Sequence, residues 1–356
     1  NCGTGSGGFA IFKCLKCGQD EHVVNFSCKG KGCPHCGKRY ARDSMEKIAS
    51  NLFLGISYRQ IVLTLPQQLR IPFYNHPNHN DLYAKFMALG QACLEEVIHI
   101  MYSNTVYKIA CVVFIHTHGR NGVYNPHLHL ILGEGALDPK TETWRQFSYI
   151  PMDVLRLTWQ KHLLGLVSVE LPKYNLVESL SAEYPDGFYA NPGKKEKVPT
   201  KSYKGLIRYL TKYLASPPIG IARITDYVDD EVTYHYKSHK TKKTEYETLG
   251  AISFIGRMVQ HILPKRFQRV RYYGLQSTSS FKKWFEIIAR VAGDLIDATV
   301  SYAKRIRYAD FFEEVVSRNP LLCRNCGHEM ELWQLYHPDK GLIWDLQDRI
   351  SKGLRI

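Results

Sequence analysis

The chain lacks the features that mark membrane and secreted proteins. No apolar run among its 356 residues reaches the roughly 18–20 residues that a membrane-spanning helix needs. The first residues lack the basic and then apolar pattern of a secretory signal peptide. The sequence also contains no internal repeat and no low-complexity tract. We therefore expect a soluble, cytoplasmic protein that does not bind a membrane.

Acidic residues are scarce relative to basic ones. There are 33 Asp and Glu against 47 Lys and Arg, which gives a net charge of +14 and suits a polyanionic partner. Between Lys194 and Lys243 there are 12 basic and 5 acidic residues, and residues 264–273 (PKRFQRVRYY) contain four basic and no acidic residues. Aromatic residues among these charges favour a nucleic acid over a solvated face, because bases stack on them. The residues that we expect to contact DNA are Arg208, Lys212, Lys237, Lys240, Lys242, Lys243, Lys265, Arg266, Arg269, Arg271, Tyr272 and Tyr273.

Cysteine is concentrated near the two ends of the chain. Eight of the ten cysteines lie there, and six of them form CxxC pairs. In a basic intracellular protein this spacing is more typical of zinc sites than of disulfides. We expect one Zn²⁺ to be bound by Cys14, Cys17, Cys33 and Cys36. Cys28, His22 and His35 are alternative ligands, and a redox-active CxxC is the alternative interpretation.

A further pair, Cys323 and Cys326, is half of a zinc site. His328 or His337 could complete it within the C-terminal segment. The alternative is a pair of free thiols.

The run PHLHLIL places two histidines around one apolar residue. On a β-strand alternate side chains share a face, so His127 and His129 point together while Leu128 points away. Two imidazoles on one face can hold a divalent cation such as Mg²⁺ or Mn²⁺, which needs a third protein ligand. His116, at the end of the preceding apolar strand, is the best candidate, with His118 on the same side. The alternative is that these are strand and loop histidines without a metal.

The segment KGLIRYLTKYL is typical of an amphipathic helix. Tyr209 and Tyr213 are four residues apart and share one face. The opposite face is marked by Leu206, Leu210 and Leu214. The neighbouring cations Arg208 and Lys212 would lower the pKa of the tyrosines and attract a phosphate. A metal that polarises a phosphate beside an attacking tyrosine hydroxyl is the apparatus of a DNA-nicking enzyme; the alternative is a pair of core aromatics.

Strand-like and helix-like segments alternate irregularly, which predicts an α+β fold with a central antiparallel sheet flanked by helices. Basic strands around SHKTKK predict a β-hairpin, and the part that follows is basic and mostly helical. The expected divisions are a zinc-binding module at 1–45, a nuclease domain at 46–220 with an exposed insertion near 172–202, a basic DNA-binding hairpin with helices at 221–318, and a C-terminal CxxC tail at 319–356.

Several short motifs follow one another in a specific order. They are SCKGKGCPHCG (27–37), VLTLP (62–66), HTHG (116–119), PHLHLIL (126–132), YLTKYLASPP (209–218), RVRYYG (269–274) and a final CxxCG. This order resembles that of the bacterial transposases of the insertion-sequence ninety-one family, over essentially the whole chain. These enzymes belong to the two-tyrosine HUH class, named for two histidines around a hydrophobic residue, and are related to Helitron transposases.

The resemblance implies an HUH endonuclease domain and rolling-circle transposition of single-stranded DNA. One tyrosine would cleave an element end and keep a 5′-phosphotyrosine link, and the freed 3′-OH would serve strand transfer. His127 and His129 match the metal ligands, and Tyr209 and Tyr213 match the nucleophiles; the third ligand varies within the class. The implied cofactors are catalytic Mg²⁺ or Mn²⁺ and structural Zn²⁺. The implied partners are single-stranded DNA at transposon ends and target DNA in the bacterial nucleoid.

Two other functions remain open from the sequence. A plasmid replication initiator or relaxase would share the histidine and tyrosine motifs. A zinc-dependent DNA-binding protein without catalysis would share only the basic charge and the cysteines. The sequence lacks the GxxxxGK[ST] motif of a helicase, so we expect DNA unwinding to come from a host helicase or from the replication machinery.

Overall fold

A computed structural model describes most of the chain. The described residues are 3–26, 45, 48–102, 106–147, 149–191, 209–210, 218–238, 241–296, 301–302 and 319–353. The chain divides into two compact units. One unit contains both chain ends, residues 1–47 and 304–356, and the other contains residues 48–303. Among the described residues, no helix is both long and apolar enough to cross a membrane.

The unit with both chain ends is built on an antiparallel sheet. Its strands are β1 (Phe9–Lys13), β2 (Glu21–Asn25), β14 (Glu331–His337) and β15 (Gly341–Asp345), in the order β15-β14-β1-β2. Strand β1 pairs with β2 on one side and with β14 on the other. The sequence-based division had separated 1–45 from 319–356. Local patterns cannot report this pairing, because the paired strands are more than three hundred residues apart.

The larger unit contains a central antiparallel sheet and several helices. The sheet consists of β4 (Tyr58–Thr64), β5 (Lys108–His118), β6 (Tyr124–Asp138), β7 (Thr143–Gln146), β8 (Ala190–Asn191) and β12 (Val270–Gly274). Its order is β12-β5-β6-β4-β8, with β7 paired to β6. The strand with both histidines of the PHLHLIL run is therefore central in the sheet. Its long apolar neighbour β5 is rich in β-branched residues, which favour strands.

Helices cover one face of this sheet. The helices α1 (Arg70–Tyr74), α2 (His79–Met101) and α3 (Met152–Glu170) precede and follow the β5–β6 hairpin. Helix α2 begins where the Asn78 side chain accepts a hydrogen bond from the Asp81 backbone N–H. Buried side chains of α2, α3 and alternate sheet residues such as Leu128 and Leu130 form one core. The opposite face of the sheet carries the histidines.

The remaining described elements lie outside this sheet. They are β3 (Phe53–Leu54), α4 (Val177–Glu183), β9 (Ile224–Val228), β10 (Glu231–Lys237), β11 (Thr244–Gly250), α5 (Ala251–Val259), α6 (Phe281–Ile296), β13 (Ser301–Tyr302) and α7 (Leu346–Ser351). Strands β10 and β11 form the expected basic hairpin around SHKTKK, and β9 extends it to a three-stranded sheet. Helix α6 lies in the part that was expected to be basic and mostly helical, and residues 297–300 and 303–318 of that part lie outside the described residues.

The segment at 172–191 differs from the exposed insertion expected there. Helix α4 and strand β8 pack onto the core, where Leu180 and Phe188 are almost fully buried. Strand β8 pairs with β4. The abundance of Pro, Gly, Lys and Tyr concealed a few widely spaced apolar residues, and these are sufficient to dock the segment. Residues 192–202 lie outside the described part of the chain.

Gly90 allows helix α2 to lie close to the histidine strand. A Cβ added there would be 2.9 Å from Leu128 Cδ1 and 3.2 Å from Leu130 Cδ2. We therefore expect Gly90→Val to overpack this contact and lower the free energy of unfolding by about 1–3 kcal/mol. Gly165→Val in helix α3 is the matched control, since a Cβ there would meet nothing within 4 Å. Chemical denaturation measures both variants, and equal stability of the two would contradict the close contact.

Candidate active site and metal centres

Three histidines converge on the face of the central sheet that lies opposite the helix-covered core. Strand alternation turns Leu128 into the core and His127 and His129 to the other side. His116 lies directly opposite His127 in the β5–β6 pairing. The ring centroid of His116 is 4.4 Å from that of His129 and 5.4 Å from that of His127. One nitrogen from each of the three rings lies within 4.8 Å of the others, which is close enough for a shared cation.

Hydrogen bonds hold both histidines of the PHLHLIL run through the same ring nitrogen. His127 Nδ1 is 2.7 Å from the Asn125 carbonyl oxygen, to which it donates. His129 Nδ1 is 2.6 Å from Nε2 of the Gln60 amide. Both contacts are at Nδ1, and partners on Nδ1 orient histidines that bind a metal through Nε2. For His129 such binding requires a proton on Nδ1, which the oxygen of the Gln60 amide would then have to accept.

Burial keeps these imidazoles uncharged. It lowers the pKa of His127, and together with the neighbouring His116 it holds the pKa of His129 well below its usual range. The neutral imidazole is the form that binds metals. The donor set therefore fits a divalent cation.

Two further histidines lie next to this cluster. The ring of His118 stacks 5.6 Å from His116 and lies 5.3 Å from His261. Burial, with a smaller contribution from His116, lowers the pKa of His118 to about 2. His261 Nε2 donates to the Gly122 carbonyl oxygen at 2.7 Å. His261 was not among the site residues predicted from the sequence, because it lies more than a hundred residues away from the other histidines.

Tyr209 reaches the histidine cluster through a glutamine. Its hydroxyl donates to Gln60 Oε1 at 2.8 Å, and the other end of the same amide contacts His129. Tyr209 and Leu210 are helical, and Leu210 is completely buried, as expected for the leucine face. Tyr213, Arg208, Lys212 and Lys240 lie outside the described residues.

Sequence reasoning missed Gln60. A signal was nevertheless present in the strand RQIVLTL, where Ile61 and Leu63 alternate with Gln60 and Val62. Val62 pairs with His129. Every second residue of strand β4, including Gln60, therefore points to the same face of the sheet as the histidines. A glutamine at such a position is therefore a candidate site residue.

Four thiols converge in the unit formed by the chain ends, in the set Cys14, Cys17, Cys323 and Cys326. The Sγ atoms of Cys14 and Cys326 are 3.4 Å apart, and those of Cys17 and Cys323 are 3.5 Å apart. Tetrahedral Zn²⁺ with Zn–S bonds of ~2.3 Å separates its sulfurs by about 3.8 Å. The cluster therefore fits zinc.

The two CxxCG segments fold alike around this cluster. Gly18 N–H donates to the Cys14 carbonyl, and Gly327 N–H donates to the Cys323 carbonyl, at 2.9 and 3.0 Å. Both glycines have a positive φ, 68° and 71°, which explains glycine at the end of each motif. Each pair is thus a preformed half-site.

The thiol set differs from the one expected from the sequence. Cys14 and Cys17 combine with the C-terminal pair, whereas Cys28, Cys33 and Cys36 lie outside the described residues. His328 and His337 were the two candidates to complete the C-terminal pair. His328 Nε2 lies 3.0 Å from Lys16 Nζ, and His337 Nδ1 accepts a hydrogen bond from the Asp339 backbone N–H at 3.1 Å. The short distance along the chain had suggested that Cys14 and Cys17 bind zinc together with Cys33 and Cys36. Pairing of strands from the two chain ends instead brings Cys323 and Cys326 to Cys14 and Cys17.

Nine of the twelve residues expected to contact DNA are described, and they fall into two groups. The exposed ones, whose role stays a prediction, are Lys237, Lys242, Lys243, Lys265 and Arg266. Arg269, Arg271, Tyr272 and Tyr273 are partly buried around strand β12, at the edge of the central sheet. Burial lowers the pKa of Arg269 to about 10, and its Nη2 donates to the Ile115 carbonyl at 3.3 Å. Burial raises the pKa of Tyr272 to about 12.

Comparison with known proteins finds matches to two families. Residues 1–65 match a family described as "Transposase zinc-binding domain", and residues 110–283 match one described as "Putative transposase". The second range includes the three histidines and Tyr209. The chain belongs to the insertion-sequence ninety-one family of transposases. It is a transposase that acts on DNA as a cleaving and transferring enzyme.

Two relatives resemble the transposase over nearly its whole length. The transposase for insertion sequence element IS801 of Pseudomonas savastanoi pv. phaseolicola is 26% identical, with 92% of this chain and 80% of the relative covered. The putative transposase y4qJ of Sinorhizobium fredii is 22% identical, with 91% and 84% covered. No solved structure matches the chain.

The thiol cluster predicts a zinc ion that joins the chain ends. The double variant Cys323→Ser/Cys326→Ser should bind one equivalent of zinc less than the unchanged transposase, because a two-thiolate half-site holds Zn²⁺ weakly. Elemental analysis of the purified proteins measures this difference. The control is Cys93→Ala/Cys111→Ala, which changes two cysteines buried in the other unit. Unchanged zinc content in the serine variant would show that the C-terminal pair is not a ligand.

Proposed function

We propose that this transposase is an HUH endonuclease that nicks single-stranded transposon ends and transfers the strand by a rolling-circle mechanism. The observation that carries the proposal is the joining of Tyr209 to the three-histidine cluster through Gln60. Metal-assisted attack on a phosphodiester requires a nucleophile close to the metal ligands. Here a single amide side chain contacts both the candidate nucleophile and a candidate ligand.

In the proposed reaction a tyrosine Oη attacks phosphorus of a phosphodiester. The new bond is P–Oη, and the bond that breaks is P–O3′. The tyrosine loses its proton, and the departing oxygen gains one to become a free 3′-OH. The DNA keeps its 5′ end as a phosphotyrosine, from which a second 3′-OH can displace the tyrosine during strand transfer. No external energy source is needed, because each step exchanges one phosphoester for another.

His116, His127 and His129 would hold the catalytic cation. Three protein ligands leave coordination positions for phosphate oxygens and water, and the bound cation would polarise the scissile phosphate. Mg²⁺ prefers oxygen ligands, and nitrogen ligands favour a transition metal. We therefore expect this set to bind Mn²⁺ more tightly than Mg²⁺.

The substrate is proposed to be single-stranded DNA at the element ends, followed by target DNA. The exposed lysines of the β10–β11 hairpin would contact its phosphates. A host helicase or replication would supply the single strand. A plasmid replication initiator or relaxase would use the same site, but membership of a transposase family favours transposition.

If the histidine cluster holds the catalytic cation, substitutions in it should abolish DNA cleavage and leave DNA binding intact. His127→Ala and His129→Ala should each reduce nicking of a single-stranded end oligonucleotide by roughly 10³-fold or more, since a metal contributes several kcal/mol to phosphate chemistry. DNA affinity, which comes mainly from basic contacts to phosphates, should change little. Gel-based nicking with Mn²⁺ and a filter-binding assay measure the two quantities. His337→Ala, in the other unit, is the control. Nicking at the unchanged rate in either site variant would refute the metal assignment.

The tyrosine pair predicts where the covalent intermediate forms. Tyr209→Phe and Tyr213→Phe should each impair complete transposition, and the double variant should form no DNA adduct, because phenylalanine keeps the packing and lacks the nucleophilic oxygen. Mass spectrometry of the trapped peptide identifies the residue. Tyr227→Phe is the control, since Tyr227 is 60% exposed and its hydroxyl contacts Asp230. An adduct on Tyr203 or Tyr227 would overturn the assignment.

A further inference from the structure

Gln60 lies on the histidine face of strand β4. Its strand neighbour Ile61 is fully buried in the core beneath the sheet. Gln60 pairs with Ile131 on β6, two positions from the pairing of Val62 with His129. The glutamine side chain therefore extends diagonally across the sheet toward His129, within the reach of a long side chain.

Both ends of the Gln60 amide are engaged. Nε2 is 2.6 Å from His129 Nδ1, and Oε1 is 2.8 Å from the Tyr209 hydroxyl. The first contact orients a candidate metal ligand, and the second holds a candidate nucleophile. One planar group thus sets the distance between the two.

We propose that Gln60 is a positioning residue that couples Tyr209 to the His129 side of the metal site. The proposal rests on the proposed role of Tyr209 as a nucleophile. It assigns Gln60 two effects, one on cation affinity through His129 and one on attack by Tyr209. It also makes the two tyrosines unequal, because the amide contacts Tyr209.

The two ends of the Gln60 amide are not equivalent, because the oxygen accepts hydrogen bonds and the nitrogen donates them. When a neutral His129 binds a cation through Nε2, its Nδ1 carries a proton and must donate. Gln60 then presents Oε1 to His129, and a half-turn of the amide presents Nε2 to Tyr209. The Tyr209 oxygen now accepts a hydrogen bond, so that its own proton can leave during attack on phosphorus. Only a side chain that both accepts and donates can serve both partners.

Two substitutions separate these effects. Gln60→Leu removes both hydrogen bonds, whereas Gln60→Glu keeps an acceptor for His129 Nδ1–H and loses the donor to Tyr209. We expect Gln60→Leu to weaken Mn²⁺ binding by about 10-fold or more, as loss of a ligand-orienting partner does. Gln60→Glu should bind Mn²⁺ at least as tightly as the unchanged transposase. Calorimetric titration with Mn²⁺, without DNA, measures this.

The second readout is the choice of tyrosine. In a Tyr213→Phe background, where only Tyr209 can react, Gln60→Leu and Gln60→Glu should slow adduct formation by about 10–100-fold at saturating Mn²⁺, the effect of losing a hydrogen bond to a charged oxygen. In a Tyr209→Phe background, the same substitutions should change the rate at saturating Mn²⁺ by less than about 3-fold. A merely structural role would slow both backgrounds equally.

Gln160→Leu is the matched control, since Gln160 is a buried glutamine whose Nε2 donates to the Tyr184 carbonyl at 2.9 Å. It should leave Mn²⁺ affinity and both adduct rates unchanged. Equal slowing in both tyrosine backgrounds, or Gln60 variants with unchanged Mn²⁺ affinity and adduct rates, would overturn the role of Gln60 alone. Persistent adducts in the double variant Tyr209→Phe/Tyr213→Phe would instead overturn the proposed function.

Discussion

The register of three antiparallel strands, β5, β6 and β4, is the constraint on which the candidate site depends. The register sets His116 opposite His127 and brings Gln60 within reach of His129. A shift of one residue would exchange the faces of the strand, turning Leu128 outward and both of its histidine neighbours into the helix-covered core. The buried residues that alternate with the histidines therefore specify the site as firmly as the site residues themselves. Packing of α2 against Leu128 and Leu130 stabilises strand β6 in this register.

A different kind of interaction stabilises the unit that contains both chain ends. Its strands are short, and few of their residues are fully buried. A small core of this kind gains much of its stability from a metal, because ligand binding then contributes directly to folding free energy. Sharing the thiols between Cys14/Cys17 and Cys323/Cys326 makes the N-terminal and C-terminal strands mutually dependent. Neither CxxCG segment supplies a complete tetrahedral set within the cluster.

Prediction from sequence succeeded where the signal was local and periodic. Strand alternation identified the shared face of His127 and His129, and the apolar run before it identified β5. Leu210 is buried, in agreement with the leucine face of the tyrosine helix. Prediction was less successful where composition concealed sparse contacts, as at Leu180 and Phe188 in the segment expected to be exposed. Around strand β12, pairing at the sheet edge leaves the basic and aromatic side chains partly exposed, and their contact with DNA stays a prediction.

Composition and short motifs were enough to identify the family, the excess of basic charge that suits DNA, and the residue types of both centres. Short spacings express these properties, because residues two or four apart share a face of a strand or helix wherever the element lies. Contacts between residues that are distant along the chain became evident only in the folded protein. The fold selected Cys323 and Cys326 as partners of Cys14 and Cys17, and it placed Gln60 between His129 and Tyr209. Such choices depend on strand pairing over long stretches of chain, which no local pattern encodes.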